Sequence, residues 1–123
     1  MASEIRASFG LTATKGSMSV NKSNFTNTAD LAGARYSSVV QDIGNAAHEA
    51  IVTAADLSGP GWAMFRNLDA TNSISIGVDV AATFYPFMSL LPGEAALCRL
   101  ATLALYAKAS AGTPKLETTA IEA

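Results

Sequence analysis

The sequence predicts an all-β fold, a β-sandwich or jelly roll of about nine or ten short strands with an extended N-terminal arm. Three observations predict it. Ile74, Ile76, Val78 and Val80 alternate with Ser73, Ser75, Gly77 and Asp79, which places one set on each face of a strand. Ile5, Ala7, Phe9, Leu11 and Ala13 alternate with Arg6, Ser8, Gly10, Thr12 and Thr14 in the same way. Turn signals recur at spacings of about ten residues, the rhythm of a sandwich.

The elements follow in chain order. Residues 1–14 read as an arm or edge strand, and 15–123 as a single β domain. Gly16 breaks the first run, and 17–21 alternates again as a short second strand. Residues 21–33 are small and polar, with Asn24, Asn27 and Gly33, and read as a loop. Residues 34–58 are rich in Ala, which favours helix, but Tyr36, Val39, Val40, Ile43, Ile51 and Val52 favour strand. Two strands, 34–42 and 47–54, are preferred, with Gly44-Asn45 at a hairpin position. Residues 61–94 read as an antiparallel meander, interrupted by the polar turn Asn67–Asn72 and closed by Leu91-Pro92-Gly93-Glu94. Residues 94–110 suit either a helix with Glu94 in its first turn or further strand. Lys115 to Glu122 alternates loosely and suits the edge of a sheet.

Composition excludes several classes of function. The 123 residues fit one domain able to bury roughly two-thirds of its unfolded surface. Only 15% of residues are charged, against roughly 25% in typical soluble domains, so Ser, Thr and Asn or a neighbouring subunit must cover the rest. A net charge of -2 with scattered Lys and Arg offers nucleic acid no basic face. No apolar run approaches the roughly 20 residues of a membrane-spanning helix. The start MASEIRASFG lacks the apolar core of a signal peptide, so a soluble, intracellular product is expected. Cys98 is the sole cysteine; beside Leu97 and Leu100 it reads as an inert core thiol.

No motif in the chain carries chemistry. His48 is the only histidine and, followed by Glu49, reads as a solvated surface feature. No metal-ligand spacing, nucleophile elbow or phosphate loop is present, and Asp69 reads as a turn cap. The expectation is a non-enzymatic protein with no catalytic residue, cofactor or metal. Of Trp62, Phe65, Phe84, Tyr85 and Phe87, most read as core filling, and the cluster also suggests a contact surface. Phe84 and Tyr85 are adjacent, so a strand turns them to opposite faces, and both faces then need cover. The candidate interface residues are Ile5, Ala7, Phe9, Leu11, Trp62, Phe84 and Tyr85.

Residues 61–122 also carry a resemblance. A strand ending in R-N-L-D-x-T-N (Arg66–Asn72), a turn L-x-P-G-E (Leu90–Glu94) and a closing Y-A-K-A (Tyr106–Ala109) followed by Leu116-Glu117 resemble a small virion-associated protein of tailed bacteriophages. The resemblance covers about half the chain and rests on strand and turn patterns. It implies an all-β phage structural protein located in the virion and made in the host cytoplasm. Within that class, a small charge-poor β domain with a strand-like arm suits a capsid decoration (cement) protein. Its arm would pair with an edge of the major capsid protein or another virion protein. A homo-oligomer is expected, a trimer in preference to a dimer. A tail or neck component (adaptor or fibre-associated protein) and an unrelated small β-sandwich binding domain are the alternatives.

Overall fold

The computed structural model describes residues 4–55 and 57–122, and these form ten strands in three sheets, an all-β fold. Strands β1 (Ile5–Lys15) and β2 (Met18–Ala29) make a two-stranded antiparallel hairpin. β3 (Tyr36–Asp42), β10 (Lys115–Glu122), β5 (Gly61–Asn67) and β8 (Ala95–Arg99) form one four-stranded sheet, in that order. β4 (Glu49–Ala50), β9 (Tyr106–Ala109), β6 (Ile74–Val80) and β7 (Thr83–Leu90) form another.

Period-2 alternation sorts the side chains. On β10, Leu116, Thr118, Ala120 and Glu122 are buried, while Lys115 is exposed and Glu117, Thr119 and Ile121 are half-buried on the other face. Ala63, Phe65, Leu116 and Ala120 from the first sheet join Ile74, Ile76, Leu90, Ala107 and Ala109 from the second in one apolar cluster. Ile43, Ile51, Leu57 and Leu105, from the connections, complete it. Burial of each large side chain here contributes about 1.5–3 kcal/mol.

A buried asparagine fixes the turns that border this core. Asn67 is fully buried; its Nδ2 donates to the carbonyls of Asn72 (2.9 Å), Leu90 (3.1 Å) and Leu91 (3.2 Å), and its Oδ1 accepts from the Asp69 N–H. Asp69 Oδ2 accepts the N–H groups of Thr71 and Asn72, which holds its carboxyl below the usual range. Glu94 closes the Leu91–Glu94 turn by accepting from the Leu91 N–H, while its own N–H donates to the Leu91 carbonyl. The patterns Arg66–Asn72 and Leu90–Glu94 are thus two halves of one hydrogen-bonded junction.

Several sequence expectations are corrected. Residues 21–29 are strand, not loop: β2 continues to Ala29 because β1 supplies a partner along its whole length. Residues 61–94 are not a single meander. β5 and β6 lie in different sheets, the Asn67–Asn72 turn carries the chain between them, and only β6 and β7 are adjacent. Likewise β3 and β4 do not form a hairpin; they pair with β10 and β9 respectively. The segment 94–110 is strand at Ala95–Arg99 and Tyr106–Ala109, since β5 and β6 offer ladder partners that outweigh the helix propensity of Ala and Leu. β10 is interior to its sheet rather than at an edge.

Candidate functional site: the projecting hairpin and its root

The β1–β2 hairpin turns through a two-residue loop, Gly16-Ser17, with Gly16 at φ 58°, the left-handed conformation that such a turn requires at its first position. Midway, the register shifts between Phe9 and Leu11, and Asn24 takes φ 65° opposite Gly10. This bulge adds one residue to β2 and flips its alternation. A Cβ on Gly10 would lie 3.2 Å from the Ser23 Cα, so the strands approach closely at this point.

The register gives the hairpin two unlike faces. Ile5, Ala7, Phe9, Leu11, Ala13 and Lys15 share one face with Met18, Val20, Lys22, Phe25, Asn27 and Ala29. Arg6, Ser8, Thr12 and Thr14 share the other with Ser19, Asn21, Thr26 and Thr28. On the apolar face Phe9 stacks against Phe25 at 5.7 Å, and on the polar face Ser8 and Thr26 share a hydroxyl hydrogen bond of 3.3 Å.

Only the root of the apolar face is covered. Ile5 and Ala7 are buried against Trp62, with Ala29, Leu31, Leu97 and Ile121 around them. Trp62, Met64, Leu97, Thr119 and Ile121 lie on the outer face of the first sheet, so the hairpin stands on that face. Glu4 pins the root by accepting from the Leu31 N–H at 3.0 Å. Beyond Ala7 the same face continues uncovered: Leu11 is 67% exposed, Met18 51%, and Phe9 and Phe25 46% each. A groove of about 270 Å³ runs beside the root, lined by Ala7, Ser8, Trp62, Met64 and Leu97 among others. It falls just below the roughly 300–1,000 Å³ of small-molecule sites. The Trp62 Nε1–H is buried without a hydrogen-bond partner.

Of the residues singled out from sequence, the structure brings Ile5, Ala7 and Trp62 into contact and places Phe9 and Leu11 on the continuation of their face. Phe84 and Tyr85 lie elsewhere, on β7 of the second sheet. Phe84 is half-buried and Tyr85 exposed. The covering layer that Trp62 demands is therefore this chain's own hairpin. Met18, Val20 and Phe25 complete the apolar face. Sequence reasoning reads Met18 and Val20 as part of a short strand without assigning them to the contact surface, and misses Phe25 because the Asn24 bulge breaks period 2 on β2.

The titratable groups form a separate cluster. His48 donates through Nε2 to Asp79 Oδ2 (2.5 Å), stacks on Phe84 (5.3 Å) and meets the edge of Tyr106. It is thus clamped between aromatics, not the solvated surface residue expected. The His48 hydrogen bond holds the Asp79 carboxyl below its usual range. Glu122, buried at the end of β10, accepts from the Ser58 hydroxyl and lies 4.0 Å from Arg35. Burial pushes the Cys98 thiol up, away from the reactive thiolate. Among the described residues no three His, Cys, Asp or Glu gather closely enough to hold a metal, and no helix is long and apolar enough to cross a membrane.

No protein-family model matches the chain, and neither a curated protein nor a solved structure matches it.

Proposed function

We propose that this chain is a non-enzymatic structural protein of a tailed-phage virion, a capsid decoration (cement) protein that bridges major capsid subunits as a homo-oligomer. In this reading the two four-stranded sheets are the layers of a β-sandwich and the hairpin is its intermolecular element.

One observation carries the reading: an apolar strand face that begins buried at Ile5 and Ala7 and then runs on, uncovered, to Met18. A two-stranded hairpin alone in water is marginally stable, and a continuous exposed apolar face marks an interaction surface. Such a face suits a subunit that completes its fold within a larger assembly. The turn patterns of residues 61–122, which resemble a phage virion protein, support the class. Neither nucleic acid nor membrane has a part in the proposal.

The test is quantitative mass spectrometry of purified virions, relative to the major capsid protein. Copies in the hundreds support a capsid-wide role. A dozen would move the protein to the neck or tail, and absence would overturn the virion reading. A shortened variant replaces residues 9–25 with Asn-Gly, joining Ser8 to Thr26 across their existing pairing and keeping the root on Trp62. It should fold and be lost from the particle.

A further inference from the structure

We infer that the uncovered hairpin face is covered by the same face of a second copy of this chain, the two hairpins lying antiparallel across a two-fold axis. The inference rests on the assembly role proposed above and names the neighbour.

Sterics choose the direction. Trp62 and the sheet around it press against the apolar face at the root. Two hairpins stacked face to face with tips aligned would drive each root into the other's sheet. Stacked tip to root, they overlap only over the free stretch, Phe9–Lys15 on β1 and Met18–Phe25 on β2. The partner's tip then ends at the groove beside Trp62, Met64 and Leu97.

The residues suit that register. With the axis level with Thr12, each Leu11 packs on the partner copy's Ala13, large against small, and each Phe25 meets the partner copy's Met18, a sulfur–aromatic contact. Lys15 falls over the other copy's Phe9 as a cation over a ring, and Lys22 over the other Val20. No lysine faces a lysine. A patch that complements itself in this way is what a two-fold interface requires, so a dimer replaces the trimer favoured from sequence.

The area sets the strength. Phe9, Leu11, Met18, Val20 and Phe25 leave roughly 450 Å² uncovered per copy, which with the groove brings a pair to about 1,000 Å². That is the lower bound for a specific interface, so the dimer forms at high local concentration, as on a particle surface, and dissociates on dilution.

Sedimentation velocity on the full chain, from about 1 µM to 1 mM, tests this. The wild type should shift from monomer to dimer over that range. Leu11→Glu, at an exposed position where folding is unaffected by circular dichroism, should weaken association at least tenfold. Leu11→Ala and Ala13→Leu should each weaken it, and the double variant, which only exchanges large and small across the axis, should restore it. A monomer throughout, a dimer indifferent to Leu11→Glu, or a double variant no better than its parents would each overturn the inference. The two readings separate cleanly: a monomer present in virions removes the dimer alone, and a dimer absent from virions removes the virion role alone.

Discussion

Replacing Asn67 by aspartate changes one atom group and should unfold much of the junction around it. The Asn67 amide donates to three carbonyls, at 2.9, 3.1 and 3.2 Å, from a side chain with no solvent exposure. An aspartate keeps the volume and the acceptor for the Asp69 N–H but presents oxygen to all three carbonyls. Each lost buried hydrogen bond costs about 1 kcal/mol, and more where the carbonyl finds no water, so about 3–4 kcal/mol is expected. Against a total stability of about 5–15 kcal/mol, that lowers the melting temperature by roughly 10–20 °C. The substituted carboxyl is buried against acceptors, so its folded pKa is raised above the unfolded value. The sign follows: a raised folded pKa makes the penalty full at neutral pH and smaller as pH falls toward the unfolded pKa near 4, because the protonated acid donates one of the missing bonds. Urea unfolding followed by Trp62 fluorescence at pH 7 and pH 4.5 reads both effects, with Asn67→Ala as the reference lacking titration. A loss under 1 kcal/mol, or a gap between the variants that does not narrow on acidification, would refute the account of the junction.

Three further outcomes follow from other positions. Gly77→Ala should cost about 3 kcal/mol in the same assay, because its Cβ would stand 2.2 Å from the Tyr85 carbonyl oxygen across the β6–β7 bulge. Ala81 and Ala82 both hold positive φ (52° and 68°) in the β6–β7 loop, so the pair Ala81→Asn, Ala82→Gly should stabilise by about 1–2 kcal/mol and raise the melting temperature. Asp69 and Asp79 both titrate below the usual carboxylate range, so their stabilisation is present above the ordinary carboxylate pKa and is lost as pH falls through the lowered folded values; Asp79→Asn should flatten that acid limb in urea midpoints measured from pH 6 to pH 2.

How far the fold is legible in the sequence depends on whether period 2 survives. It survives in Ile5–Ala13 and Ile74–Val80, and both are strands. It is broken on β2 by the single extra residue at Asn24, so Phe25 falls out of step with Met18 and Val20 and the stretch beyond Asn21 resembles loop. Sheet order is out of reach for a different reason. The polar turn Asn67–Asn72 looks the same whether it joins neighbours in one sheet or carries the chain to another. Only the distant partners decide: β10 for β5, β9 for β6. His48 is illegible because its partners, Asp79, Phe84 and Tyr106, lie 31 or more residues away. Ile5, Ala7 and Trp62 are legible as surface in need of cover, but the cover lies within the same chain.

The hairpin's root and its free end are coupled, and the coupling is testable. Ile5 is 4% exposed and Ala7 also 4%, so burial at the root contributes about 2–3 kcal/mol of anchoring. The apolar cluster around Trp62 takes in no described hairpin residue beyond Ala7 on β1 and Ala29 on β2. Stability along β1 and β2 should therefore fall from root to tip, with amide exchange slowest at Ile5–Ala7 and fastest near Gly16. Ile5→Ser removes the anchor. Exchange should then accelerate throughout residues 5–29 while β5, β6 and β10 keep their protection, because their core is a separate apolar cluster. Covering the free face at high protein concentration should slow exchange at Phe9–Ala13 and Val20–Phe25 first, since those amides gain most from a partner. Uniform protection along the wild-type hairpin at low concentration would show that it stands without help, and the reasoning from its uncovered face would then fail.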